Sequence, residues 1–339
     1  MVYIVIVNLF LAINLFSAQM GTFNLPHNFP TDKSFHLSYK AGLFSSTANL
    51  IGSGEHDDLP LDSELQIFKH HFLAQYQPNR KFSFGARLSF DQVTLNTNVG
   101  EYKESGLSDQ ILFAEYRIKD KLGFSWGFSG YIKFPFYKNP EISALTTSQI
   151  AVLGDAQTDF AIFTNLEKWL SYNFRIQLDL GYLFRTEEFA QEIPLTVDLA
   201  VVNYKFNIGT KFIGSFTAKE DTFGTISTTT LKSYFANSDY IYANKPWLVA
   251  INPYAVFWIT PKFAVGGDFK YSITGDDYAK YTFFSLGLVY RWAQSYNIRT
   301  RKFKEVDINT DQNRGKFESN ESDFIEIPNY KIKDPTRGL

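Results

Sequence analysis

The sequence predicts an all-β fold, a transmembrane antiparallel up-and-down β-barrel of about 12 strands. Three observations carry that reading. First, strict period-two alternation recurs along the 339 residues. In residues 123–136 it sets Phe124, Trp126, Phe128, Ile132 and Phe134 against Ser125, Gly127, Ser129, Tyr131 and Lys133. Successive strand side chains point to opposite faces, so such a stretch has one apolar and one polar surface. Second, aromatic residues reach 17%, with 34 Phe and 20 Tyr, while charged residues fall to 20%. That abundance suits lipid contact and the aromatic girdles of two membrane interfaces, with a polar interior behind them. Third, connections alternate between short and long, as in a barrel with turns at one end and loops at the other.

Residues 1–18 form an uncharged apolar run ending in Ser17 and Ala18, which reads as a signal peptide for export. Residues 19–33 carry Phe23, Pro26, Phe29 and Pro30 and cannot pair as a central strand, so an N-terminal periplasmic segment or plug is expected. The barrel is expected to occupy 34–292. Its strands are placed at 34–43, 64–76, 82–93, 109–118, 123–136, 158–168, 173–185, 194–202, 206–217, 247–259, 263–273 and 280–292. The joins 77–81, 119–122, 169–172, 203–205 and 260–262 are short. Those at 44–63, 94–108, 137–157, 186–193 and 218–246 are long, and 274–279 is compact. Lys69 and Pro253 muddy the alternation in their strands.

The final strand carries Gly287, Tyr290 and Trp292 in a pattern similar to the signal by which the barrel-assembly machinery recognises a closing strand. That machinery is an expected partner, as is outer-membrane lipid. Beyond Trp292 the lipid face disappears and charges of both signs crowd together. Residues 293–339 therefore read as a polar periplasmic tail, able to dock a periplasmic or secretion-system partner. The absence of cysteine excludes disulfides and thiol catalysis, and a net charge of −2 gives no pull toward nucleic acid.

Alternation places charges of both signs on the inner face. Arg87 and Asp91 share one strand, Glu115 and Arg117 the next, and Lys133 the one after. Asp159 follows, then Arg175, Asp179 and Arg185 together, then Lys211, and finally Asp268 with Lys270. These are the expected pore-lining residues. They suit either a polar channel that sorts solutes by charge or a lumen filled by its own ion pairs. Bore grows with strand number, from about eight strands filled by side chains to about sixteen around open water, so twelve implies a narrow or plugged channel. Mixed signs argue against strong ion selectivity.

No cofactor or metal is expected. The acidic loop 54–58, with Asp62 and Glu64, offers oxygen ligands suited to Ca²⁺ but lacks the glycine-spaced calcium-loop pattern. His36 and Ser38 share a strand face, a nucleophile–base arrangement that Asn49 could complete as in outer-membrane phospholipase A, another barrel. Their flanking residues do not match that enzyme, so the lipase is a remote alternative and no catalytic residues are assigned.

From about Ser105 to Thr217 the chain resembles the outer-membrane family associated with a meta-cleavage pathway of phenol degradation. The resemblance rests on Ser105-Gly106-Leu107-Ser108-Asp109, on Leu153-Gly154-Asp155-Ala156-Gln157-Thr158-Asp159, and on Leu180-Gly181-Tyr182-Leu183-Phe184-Arg185. It implies a transporter-like barrel for small aromatic or hydrophobic compounds, with Asp109, Glu115, Arg117, Asp155 and Asp159 at the pore mouth or wall. Ala156 and the charged tail depart from the family pattern. The first functional expectation is therefore a channel or transporter in the bacterial outer membrane, passing a small-molecule solute and not an enzyme. The alternative is a structural barrel whose C-terminal tail docks a partner.

Overall fold

Side-chain alternation is realised here as one antiparallel sheet that curls until its ends meet. The computed structural model describes residues 33–293, apart from 52–54, 60–62, 80, 99, 122–123, 138–152, 155–156, 172, 187–189, 204 and 221–244. The signal peptide, the plug segment before Lys33, Asp155, the aromatic part of the 218–246 loop and the tail beyond Ala293 lie outside the described residues.

The elements are β1 (Ser34–Ile51), β2 (His56–Asp58), β3 (Glu64–Gln77), β4 (Phe82–Thr97), β5 (Gly100–Leu107), β6 (Asp109–Lys121) and β7 (Phe124–Pro135). They continue with β8 (Asp159–Trp169), β9 (Phe174–Arg185), β10 (Gln191–Val202), β11 (Phe206–Lys219), β12 (Trp247–Trp258) and β13 (Phe263–Ala293). Sequential neighbours pair around the ring, and β13 pairs with β1 to close it. β13 doubles back on itself. Its first arm pairs with β12 as far as Asp276, and its second runs along β1 from Asp276 to Ala293. Counting both arms, and leaving aside the short β2 and the flap β5, the wall is a closed 12-strand antiparallel barrel.

At the short-turn end one device recurs. The Asn79 side-chain oxygen accepts from the amides of Lys81 and Phe82, and the Asn203 oxygen from those of Lys205 and Phe206. The Thr260 hydroxyl accepts from Lys262 and Phe263. Each turn thus satisfies backbone donors that the ladders leave free.

The two strands with muddied alternation are both present. Pro253 has no N–H to give, and the β12–β13 ladder is interrupted beside it. The Asn252 side-chain amide reaches the Phe269 carbonyl at 3.2 Å and supplies the missing donor. A second gap opens where β4 changes partner from β6, last paired at Arg87, to β5, first paired at Phe90. There the Gln110 amide bonds both the N–H and the carbonyl of Ser89, each at 2.9 Å.

The long-loop end differs from expectation. β1 continues to Ile51 and β4 to Thr97, and the region expected as loop 94–108 contains β5. In these extensions the faces exchange character. Through the lipid belt Leu43, Phe68 and Phe284 point outward. One residue pair further on, Ser45, Gln66, Thr94 and Thr282 are aligned on the outside. Inside at that height stand Phe44, Ile67, Val93 and Tyr281, all buried. In these stretches of β1, β3, β4 and β13 the wall is polar outside and apolar inside, as in a water-soluble barrel.

Candidate functional site: the barrel lumen

Each inner-face charge comes from a strand whose outer residues are held in the apolar exterior, so the alternation fixes where it points. Most of these charges lie against an opposite charge on an adjacent or facing strand. At the long-loop end an ionic arc crosses five strands. Lys133 is 2.6 Å from Asp159 and 3.5 Å from Asp109. Arg185 lies 3.8 Å from Asp159 and 3.5 Å from Glu192. Glu192 in turn accepts hydrogen bonds from Ser215 and, at 2.9 Å, from the Tyr278 hydroxyl of the β13 hairpin.

Deeper in the barrel, Arg175 and Asp198 form a fully buried pair at 2.5 Å. Tyr254 donates to Asp198 at 2.9 Å, and Arg175 donates to the same tyrosine oxygen at 3.3 Å. Asp179 accepts from Gln177 at 3.0 Å and from Asn165 at 2.8 Å. Glu115 and Arg117 meet at 3.4 Å beside a small recess that Glu167 and Gln177 also line. On the other wall Lys40 meets Asp268 at 2.5 Å, and Lys69 lies 3.8 Å from Asp91. Lys211 and Lys270 sit over the rings of Tyr254 and Tyr281. Arg87 is buried as well, and its Nε and Nη1, like those of Arg175, have no hydrogen-bond partner among the described residues.

The lumen is also less polar than its charges suggest. Wall glycines are covered by rings from the neighbouring strand: Phe283 lies over Gly42, Phe113 over Gly85, Phe163 over Gly181 and Tyr254 over Gly209. A Cβ at Gly181 would come within 2.4 Å of the Phe163 ring. At the long-loop end inner-face residues of β1, β3, β4, β11, β12 and β13 join in one apolar cluster, which includes Leu50, Ile67, Leu95, Ile213 and Leu248. Loop residues Leu59 and Leu153 complete it.

Sequence reasoning missed this layer because it assumed one inner polarity for the whole length of each strand. The adjacent apolar pairs Leu43-Phe44 and Ile67-Phe68 are the signal that marks the exchange of faces. It also missed Glu192, by starting that strand at Pro194, and Tyr254 and Tyr278 as network members. The structure brings two resemblance segments together: Leu153 packs 3.1 Å from where a Cβ of Gly106 would stand, and Tyr137 donates to Asp109 at 2.9 Å beside Gly154. The phospholipase alternative is not assembled. His36 shares a hydrogen bond with Ser34 at 3.2 Å. Asn49 lies 13 positions along β1 from His36, an odd step that puts it on the opposite face. Among the described residues no cluster of His, Cys, Asp or Glu could hold a metal ion.

Gly287, Tyr290 and Trp292 lie on the closing arm of β13, opposite Lys40, Leu37 and Phe35 of β1. Tyr290 and Trp292 face outward and Gly287 faces the lumen.

No known protein family and no curated protein matches the chain. Among solved structures it is similar to the COG4313 outer membrane channel from Pseudomonas putida F1. That match has a TM-score of 0.58 and 11% identity over 80% of this chain and 100% of the other. The KdgM porin (TM-score 0.43, 8% identity, 75% and 98% coverage) and the NanC porin (0.43, 11%, 75% and 98%) are more distant likenesses. At such identities what is shared is the fold, that of bacterial outer-membrane barrels.

Proposed function

We infer that the chain is a bacterial outer-membrane channel that passes small solutes through its lumen, with aromatic or hydrophobic molecules as the substrate class. The observation that supports this reading is a closed barrel with a lipid-compatible exterior and charged residues lining its inside. Protein built only to fill a membrane has no use for so many desolvated charges, since buried ion pairs contribute little net stability. The substrate class rests on the resemblance to the phenol meta-cleavage family and on the aromatic rings over the lumen glycines. The signal peptide, the N-terminal plug and the reading of β13 by the barrel-assembly machinery belong to the same proposal, as does the short-turn end facing the periplasm.

The filled lumen favours a second reading, a structural barrel whose tail at 293–339 docks a periplasmic or secretion-system partner. Flux into liposomes separates the two. The refolded chain, or the chain lacking residues 20–32, should admit a small phenol faster than a sugar of similar mass. If neither form passes any solute while the barrel keeps its heat-resistant migration, the channel reading fails and the structural one replaces it.

A further inference from the structure

The inner face of β4 carries donors that the barrel leaves unused. Arg87 and Ser89 stand two residues apart on it, 5% and 2% exposed. The Nε and Nη1 of Arg87 and the hydroxyl of Ser89 have no hydrogen-bond partner among the described residues. Arg175 shares that lack but lies 2.5 Å from the Asp198 carboxylate. The carboxylates whose charge Arg87 feels, Asp109 and Asp91, are engaged by other groups. Asp91 lies 3.8 Å from Lys69 through Oδ2, while Asp109 is 3.5 Å from Lys133 and accepts from Tyr137 at 2.9 Å. A buried cation without such a partner costs stability, and an anion arriving in the lumen would offset that cost.

The wall around these donors is basic. From β11 round through β1 to β4 the buried carboxylates are Asp91 and Asp268, against Lys40, Arg87, Lys211 and Lys270. Lys69 and His71 of β3 face the same space, with His71 directly across from Ser89. Both are only half-buried, so the lumen is not filled against them. On the other side of Arg87 the wall turns apolar. Ile111 of β6 is its cross-strand partner, and the Phe113 ring lies over Gly85. Phe113 is half-buried and packs against a buried inner-face cluster that includes Ile111, Tyr131 and Phe163. Unused donors and an aromatic face thus stand side by side on adjoining strands.

We propose that this stretch of wall binds small aromatic carboxylates, with the carboxylate at Arg87 and Ser89 and the ring along Phe113. A guanidinium and a hydroxyl both donate to a carboxylate, and bonds to an ionised acceptor are the stronger ones. Asp91 sits one inner position beyond Ser89, so the anion's place is on the Arg87 side. The proposal rests on the channel reading for how a solute reaches the wall. It narrows the substrate class from aromatic or hydrophobic molecules to those that also carry an acid group.

Fluorine NMR of 4-fluorobenzoate with the refolded full chain in detergent micelles tests it, against empty micelles as the blank and with heat-resistant migration as the check on folding. The parent is expected to bind 4-fluorobenzoate about tenfold or more tighter than 4-fluorobenzyl alcohol, which lacks the charge. Acetate, which lacks the ring, should displace it only at much higher concentration. Arg87→Gln should weaken binding about tenfold and Ser89→Ala severalfold. Because Arg87 has no ion partner to strand, its variant should keep the heat-resistant migration. Arg117→Gln, a lumen arginine that Glu115 already engages at 3.4 Å, should bind like the parent. If Arg87→Gln does not fold, Ser89→Ala and the alcohol comparison decide. Equal binding of acid and alcohol, or unchanged binding in the folded β4 variants, overturns the inference, and the channel reading stands if the parent still passes a phenol into liposomes. If the parent binds the acid as expected but passes no solute, the site stands and the channel reading falls.

Discussion

At the scale of single residues, the barrel is held by a rule about direction and a rule about partners. Phe128 and Leu178 point into lipid, so Arg at either should destabilise the barrel by about 2–4 kcal/mol near the bilayer midplane. Arg at Ser129, one step along the strand, faces the lumen and should cost much less, as urea-dependent refolding into vesicles would measure. Equal sensitivity at both faces would contradict the orientation of the wall. The partner rule applies at Arg175 and Asp198, which are fully enclosed and 2.5 Å apart. Asp198→Ala strands a buried guanidinium and should cost about 3–5 kcal/mol. Tyr254→Phe removes one donor to the same carboxylate, and the expected loss is about 1 kcal/mol. Loss of the same size from both would mean that Asp198 acts mainly through Tyr254. Facing was legible in the sequence at these positions because period two depends on nearest neighbours alone. The partners were not, since Lys40 meets Asp268 from 228 positions away and only closure of the ring brings them together.

At the scale of strands and turns, the wall is most regular where sequence and geometry repeat together. The short turns were placed from their lengths, and the structure adds the reason they hold: Asn79, Asn203 and Thr260 each cap two amides of the returning strand. The long-loop end was harder to read because β1, β3 and β4 exchange faces there, and an alternation that slips by one residue looks like an alternation that has ended. Strand β5 was hidden for a related reason: Gly100–Leu107 is largely exposed and carries no lipid face to announce it. The lumen glycines make a sharper test of the wall. Gly181 lies under the Phe163 ring, and an added methyl would have to push that ring or the Ile162 carbonyl aside. Gly181→Ala should cost about 1–3 kcal/mol in the same refolding measurement. Gly100, which meets nothing within 4 Å, should accept alanine without loss of stability. A neutral Gly181→Ala would show that Phe163 does not rest on the wall.

At the scale of the whole molecule, closure and strand parity decide which parts of the chain share a side of the membrane. Ser34 is paired with Ala293, so the chain enters and leaves the barrel at one end, the end with the short turns. The connections that follow Ile51, Pro135 and Lys219 all depart from the other end. Barrels of this kind turn their short connections toward the periplasm and their long loops outward. Trypsin added to intact cells should therefore cut between Lys219 and Trp247, where Lys232, followed by Ser233, offers a site. It should spare the segment after Ala293, although Arg299, Arg301, Lys302 and Lys304 make that segment the richest in basic residues. Permeabilising the outer membrane should reverse the protection and release the tail at once, while the barrel remains heat-resistant. The basic cluster makes the comparison demanding, because a tail on the outside would be cut first. Cleavage after Arg299 or Arg301 in intact cells would place the short-turn end outside the cell. The structural reading, which needs the tail in the periplasm, would then be lost together with the assigned orientation.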